Sequence, residues 1–422
     1  MSPKPETEVL VVGAGPVGLF TGLCLARAGV RVQIVDEEFR TAAHSYALAL
    51  HPRSLQLLHD LDLTAELLPR SHAVDTVAFY DGANRCGELK LAKLGGNFPQ
   101  VAVLPQSVLE GMLEQRLKSL GVKVLWNHRV AALRMEESGI SASIDKLARG
   151  SCGYAVATTE WVVERTLQTD AAFAVGADGH RSVVRNTVGG EYATAGPTET
   201  FAVFEFHSAA ELGGEVRVVF HESTSNVLWP LPGGRCRWSF QLEDAEPPAD
   251  FRLKRRLTVP IGRQSFPHLT GDDFDELTSV RAPWFAAAVH RIDWSMKVRF
   301  DRRLAERFGH HRCWLAGDSA HLTGPVGAQS LNMGLREAFD LSGKLVAILR
   351  QGEPLDSLRR YNDEHVTEWR RLLSAGGGLA ASGLAEPWAR RCRGRILACI
   401  PATGDDLSNL LVQVGLSIEP EA

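Results

Sequence analysis

Residues 8–36 read EVLVVGAGPVGLFTGLCLARAGVRVQIVD, and the order of residue types in this stretch decides the fold. The apolar, β-branched run at 8–12 suits a buried strand, and the glycines behind it end that strand in a turn. Leu19, Leu23 and Ala26 then recur at helical spacing, which predicts a helix. Gly29 stands where a left-handed residue closes a helix, and VRVQIV at 30–35 alternates as a second strand would, ending at Asp36. Strand, glycine turn, helix and strand make a βαβ unit, the opening of an α/β fold with a parallel sheet.

The turn itself, Gly13-Ala14-Gly15-Pro16-Val17-Gly18, is a GxGxxG between a strand and a helix. The first glycine allows the tight turn, the second lets a pyrophosphate approach the backbone, and the third lets helix and strand pack. Asp36 lies 18 residues beyond Gly18, where an acid accepts the hydroxyls of a ribose. The motif reads as a dinucleotide site, against the plainer alternative of a glycine-rich structural turn.

Two more apolar runs end in an acid: Ala174-Val175-Gly176-Ala177-Asp178-Gly179 and Cys313-Trp314-Leu315-Ala316-Gly317-Asp318. Ligands of parallel sheets sit beyond the carboxyl ends of the strands, so Asp36, Asp178 and Asp318 are expected to converge on one polyol- or phosphate-bearing ligand. Taken singly, each Asp is more often a helix N-cap or a turn former, a reading that their order and neighbours weaken. Beyond Asp318 the chain enters a long apolar-periodic helix reaching about residue 350. The positive end of that helix would point back toward the ligand.

The whole chain, 422 residues, exceeds what one hydrophobic core supports, so two lobes are expected. Hydrophobic residues at 45% and charged residues at 23% are those of a folded globular protein. Pro52 and Pro105 each open a helix, the second stopped by Gly121 before the strand VKVLW. From about 188 to 280, VRVVF, NVLWPL and RCRWSFQL alternate as strands of an antiparallel sheet. Helical periodicity returns over 327–350 and 355–400, the latter interrupted by glycines at 376–378. The tail from 401 to 422 reads either as a dimer contact or as a frayed end.

A net charge of −4 offers no footprint for nucleic acid or an anionic membrane. Seven scattered cysteines without a CxxC pair indicate neither a disulfide framework nor a metal site. The start MSPKPETEVL has no signal-peptide character and no run approaches the ~20 apolar residues of a membrane span, so a cytoplasmic protein is expected. Whether it is a monomer or a homodimer is not legible.

In order, GAGPVG with Asp36, GADGHRSVVR at 176–185, WLAGDSAHLTGP at 314–325 and LNMGLREAFDLSGKL at 331–345 resemble the motifs of the class A flavoprotein monooxygenases. These are aromatic hydroxylases of the p-hydroxybenzoate hydroxylase fold, and the resemblance covers residues 8–372. It implies a Rossmann-like FAD-binding domain from 1–72, 98–187 and 281–349, an antiparallel-sheet substrate domain from 73–97 and 188–280, and a C-terminal helical segment from 350 to 422. It implies non-covalent FAD, NADPH or NADH as a transient reductant, and dioxygen, which forms a C4a-hydroperoxide that hydroxylates a small aromatic or polyketide-like substrate. The cofactor carries that chemistry, so no catalytic side chain is assigned.

Carried over residue by residue, the resemblance implies that Gly13, Gly15, Pro16, Val17 and Gly18 approach the FAD pyrophosphate and Asp36 its ribose. Gly317 and Asp318 would hold the ribityl chain, with Gln106 on its other side, and Asp178 would serve both FAD and the nicotinamide. Pro325, Gly327, Leu331 and Asn332 would lie beside the flavin ring. His221, Trp229, Arg237 and Gln241 are candidate substrate contacts, although alternation turns only about half of any strand toward a pocket. His321 reads as a packed, hydrogen-bonded residue rather than a base, and Trp284 and Phe285 as core or pocket wall.

The sequence departs from the family pattern Pro-x-Gly-Gly-x-Gly-x-Asn by placing Ala328 and Ser330 at two of the glycines. Tyr46 stands where an arginine is common, while Arg53 remains, as a cofactor contact or as a solvated residue. A halogenase or a reductase of the same fold is the alternative, although the W-x-W-x-I-P run of halogenases is missing. A degenerate, non-catalytic flavoprotein is a third reading.

Overall fold

The computed structural model describes residues 6–39, 49–152, 158–243, 258–261, 264–267, 269–285, 289–374 and 379–418. Tyr46 and the glycines at 376–378 lie outside the described residues.

The βαβ unit forms from the signals that announce it. Val9–Val12 is a fully buried strand, Pro16–Arg27 a helix with Pro at its start, and Val32–Asp36 the second strand. Five strands run parallel in the order Cys313–Leu315, Phe173–Gly176, Val9–Val12, Val32–Asp36 and Val124–Trp126, with the short Gly309–His310 antiparallel at one edge. Leu19, Phe20, Leu23, Ile34, Val175 and Leu315 meet in the core around this sheet, each such side chain contributing roughly 1.5 to 3 kcal/mol on leaving water. The helix expected at Pro105 is Gln106–Ser119, with Pro105 as its N-cap.

An eight-stranded sheet forms the second layer system. Its order is His321–Leu322, Val289–Ala305, Tyr192–Ser208, Arg235–Leu242, Thr224–Leu231, Glu215–His221, Thr76–Asp81 and Asn84–Lys90. Both faces are covered. One packs Phe79, Phe201, Val218 and Trp229 against Trp388, Ile396, Ile400 and Leu411 of the C-terminal region. The other packs Phe204, Phe206, Trp238 and Phe240 against Leu269, Phe274 and Trp284. Arg235–Leu242 and Thr224–Leu231 are the antiparallel pair that the alternation indicated.

Three features went beyond the sequence reading. Ile140–Cys152 pairs with Thr158–Ala171 in a long antiparallel hairpin inside the stretch assigned to nucleotide binding. Val289–Ala305 belongs to the large sheet, although the boundary at 281 grouped it with the FAD-binding residues. The C-terminal segment is not purely helical, because Leu379–Ala381 pairs with Leu416–Ile418. Nor is the tail frayed over its described length: Gly404–Val412 is a helix whose Leu407, Leu410 and Leu411 are buried.

Candidate cofactor site

The parallel strands bring their carboxyl ends into one row. Val12 is level with Val35 and with Gly176, and Gly176 with Leu315. The next backbone amides continue the ladder, Gly13 to Val35, Ala177 to Val12 and Ala316 to Gly176, at 2.7 to 3.0 Å. Asp36, Asp178 and Asp318 therefore leave three strands of one sheet at the same edge, the glycine turn after Val9–Val12 standing between Asp36 and Asp178, although the first and last are far apart in sequence.

Steric fit explains the three glycines separately. Gly13 has φ of +103°, and a β-carbon there would fall 2.1 Å from the Ala177 carbonyl oxygen. A β-carbon on Gly18 would fall 2.0 Å from the Gly13 oxygen, whereas on Gly15 it would meet nothing within 4 Å. The first and third are closed by the protein itself, and the second faces open space. The Pro16–Arg27 helix starts at Gly15 with no side-chain cap and no acid in its first turn, so its positive end is left for an anion. The Asp36 carboxylate accepts from the Ala14 and Glu38 amides at 2.5 and 2.8 Å, which locks it beside the glycine turn.

Gly317 is pressed against Val17, whose Cγ2 would lie 3.0 Å from a β-carbon at 317, and Gly334 of the Gln329–Val346 helix closes on the same methyl at 2.7 Å. Asp318 is thereby carried to the start of the first helix, with its carboxylate exposed. Ser330 donates to Asp318 Oδ1 at 2.6 Å. Asp178 is occupied differently: at the start of the Val183–Val188 helix its Oδ2 accepts from the Val183 and Val184 amides at 2.8 and 3.3 Å. Burial raises its carboxyl above the usual carboxylate range, against these hydrogen bonds. The N-cap of that helix is Ser182, whose hydroxyl accepts from the Arg185 amide at 2.9 Å, so Asp178 braces the helix start from outside it.

Pro325, Gly327, Leu331 and Asn332 form the next ring outward. A β-carbon on Gly327 would lie 2.6 Å from the Ala398 oxygen, and Gln329 donates to Leu397; the turn after the Pro387–Ile396 helix thus seals this loop. Asn332 is fully buried, accepting from the His51 amide and donating to the Ala49 and Ala328 carbonyls at 2.7 to 2.8 Å. Its side chain is a clamp, so contact with a ring there falls to the backbone. Neither a side-chain cap nor an acid occupies the first turn of the Gln329–Val346 helix.

Other sequence-derived candidates lie further out. Gln106 donates to Glu110 of its own helix at 2.6 Å. Arg53 is exposed, and its charge acts on Asp406 in the C-terminal helix. Trp229, Arg237 and Gln241 share one face of the large sheet, while His221, level with Thr224, falls on the opposite face. Trp229 is core. Arg237 is locked on Glu205 at 2.7 Å, and Gln241 reaches Glu199, which abuts Gly324. Trp284 stacks on Tyr80, and Phe285 packs edge-on to Trp238, so both serve the core.

Sequence reasoning missed the braces behind the site. Arg185 donates to the Ser319 and His180 carbonyls at 2.8 and 2.7 Å, and Ser319 donates to the Gly176 oxygen, tying the second acidic turn to the third. Glu337, fully buried, accepts from Gly317 N, His321 Nε2 and Trp369 Nε1 at 2.7 to 2.9 Å. Burial opposes its ionisation, but the attraction and hydrogen bond of His321 hold its carboxyl below the ordinary range. His321 is accordingly a packed residue, stacked on Trp369. A helical acid aimed at a motif histidine was the only available signal.

No helix among the described residues is long and apolar enough to cross a membrane. Among them, too, no group of three His, Cys, Asp or Glu side chains is placed to hold a metal ion.

The glycine turn open at Gly15, the uncapped helix start and the exposed Asp318 carboxylate fit an adenine dinucleotide with a polyol chain. Known proteins show the same shape. The chain is 27% identical over 386 residues to a 6-methylpretetramide 4-monooxygenase of Streptomyces rimosus, covering 89% of this chain and 62% of that protein. It is 29% identical to a rifampicin monooxygenase of Streptomyces venezuelae, over 85% of this chain and 67% of that one. It therefore spans about two thirds of the length of these relatives. The solved p-nitrophenol 4-monooxygenase of Pseudomonas putida DLL-E4 superposes with a TM-score of 0.74 at 20% identity, covering 97% of both chains, and shares the fold. Residues 6–373 match the FAD binding domain family, and the chain belongs to that family.

Proposed function

We propose that this protein is an FAD-dependent monooxygenase, reduced by NADH or NADPH, that hydroxylates a small aromatic or polyketide-like substrate with dioxygen. The observation that carries the reading is the single row of strand ends that sets Asp36, Asp178 and Asp318 around the open glycine turn. FAD, when bound, supplies the acceptance of hydride and the activation of dioxygen. The chain's own part is positioning. The amides at Gly15 and the following helix start would hold the pyrophosphate, Asp36 the ribose, and Asp318 the ribityl chain. The first turn of the Gln329–Val346 helix would offer unpaired amides and a positive dipole end to negative charge developing on the ring. The Gly327 loop, sealed by the Leu397–Cys399 turn, would keep water from that side.

The large-sheet face bearing Gln241, beside Gly324, would form the wall opposite the ring. Residues 73–97 and 188–280 would form the substrate unit around it.

Reconstitution with FAD, followed by NAD(P)H oxidation across a panel of phenols with isotopically labelled dioxygen, tests the proposal. Label in the product and substrate-stimulated oxidation are expected. Absence of flavin binding, a halogenated product, or saturation without oxygen gain would overturn it.

A further inference from the structure

A chain of side chains runs from the protein interior to the edge of the candidate cofactor site. Glu337 and His321 are both fully buried and meet at 2.9 Å. His321 is braced face-on by Trp369, with ring centroids 3.9 Å apart, and Trp369 itself donates to the other Glu337 oxygen at 2.7 Å. The second imidazole nitrogen, Nδ1, lies 3.5 Å from Ser330 Oγ. Ser330 in turn donates to Oδ1 of the exposed Asp318 at 2.6 Å.

Each link restricts the next. Glu337 has three fixed donors, so its carboxylate cannot turn. With Nε2 committed to that carboxylate and the ring stacked, His321 presents Nδ1 in one direction only. Ser330 has a single proton, which the nearer and charged acceptor takes, a charge-assisted bond of the stronger kind. Its oxygen then faces Nδ1. Asp318 is left with Oδ1 pinned and the rest of an exposed carboxylate open, since among the described residues only Ser330 engages its side chain by hydrogen bond. A glycine at 330 has no hydroxyl to give, so the link belongs to this sequence and not to the family pattern.

We propose that Ser330 is a positioning residue for the flavin: through the buried Glu337–His321 pair it holds Asp318 in the one rotamer that offers Oδ2 to the ribityl hydroxyls. This rests on the flavin reading given above. An exposed aspartate free to rotate would lose conformational entropy on binding a polyol, and one already fixed by Ser330 does not.

The test is FAD affinity of the apoprotein, read by quenching of flavin fluorescence, for the native chain, Ser330→Ala, Ser330→Thr, Asp318→Asn and the double variant Ser330→Ala/Asp318→Asn. Thermal melting of each apoprotein reports folding separately. Ser330→Ala is expected to weaken FAD binding about tenfold, as loss of one charge-assisted hydrogen bond would, while Ser330→Thr, which keeps the hydroxyl, stays within about threefold of native. Because Ser330 acts through Asp318, its removal should add little in the Asp318→Asn background. Unchanged affinity in Ser330→Ala, or losses that simply add, would refute the positioning role and leave the flavin reading intact. Failure of the native protein to bind FAD would remove both.

Discussion

Gly18 and Gly13 touch so closely that a β-carbon on Gly18 would stand 2.0 Å from the Gly13 carbonyl oxygen. Gly15, between them, has open space and an ordinary φ of −70°. The two glycines should therefore fail differently. Gly18→Ala forces the helix from the strand and is expected to cost about 1 to 3 kcal/mol or more, lowering both melting temperature and FAD affinity. Gly15→Ala should melt like the native apoprotein yet bind FAD at least tenfold more weakly, because its methyl fills the phosphate's space. Paired melts and FAD titrations check this; equal losses of stability would contradict it.

His51 is buried beneath the Gly327 loop, with Nε2 2.9 Å from the Gly327 oxygen. Burial pushes its pKa from 6.5 down to about 3, the Gly327 hydrogen bond opposing and the Arg336 charge assisting. The folded state keeps the ring neutral, while the unfolded chain takes up a proton below pH 6.5. Stability contributed here is thus full above 6.5 and falls as pH drops toward 3, by about 2 kcal/mol near pH 5. His51→Gln removes the titration, so denaturant unfolding between about pH 7 and 5 should show a shallower decline than in the native protein.

Ala328 takes φ of +51°, the left-handed region, at the N-cap of the Gln329–Val346 helix. A side chain there costs about 1 kcal/mol relative to glycine. Ala328→Gly should raise stability by about that amount, less the extra freedom it gives the unfolded chain. A drop in the melting temperature would show that the Ala328 methyl makes compensating contacts with the core it borders.

The C-terminal helix is part of the core. Leu411 has no exposed surface and packs with Leu407, Leu410 and Leu416. Leu411→Ala should cost about 2 to 5 kcal/mol, measured as a shift in the urea midpoint, whereas a frayed tail would show none.

Local signals read well wherever a turn, a cap or a period carried them. The βαβ unit needed only β-branched runs, a helical period and two glycine turns, and its elements fall where those residues stand. The acids Asp36, Asp178 and Asp318 were recognisable because each follows an apolar run. Contacts made across more than a hundred residues were not. Asn332 bonds His51 and Ala49, Arg185 bonds Ser319, and neither pairing leaves a periodicity to read. The strand Thr158–Ala171 escaped notice for a related reason: being largely polar and exposed, it lacks the alternation a half-buried sheet imposes, whereas its partner Ile140–Cys152 does alternate, with Ile140, Ala142 and Ile144 buried.

The amino-acid order alone determined that this chain has a nucleotide-binding α/β sheet and a second, antiparallel sheet, because strand, glycine and helix signals span only a few neighbours each. Tertiary structure alone decided which oxygen of Asp178 braces a helix start, that Asn332 clamps backbone, that His221 and Gln241 part to opposite faces, and that Ser330 reaches Asp318. Those outcomes depend on strand register and on close packing between distant segments, where a shift of one residue turns a side chain to the other face.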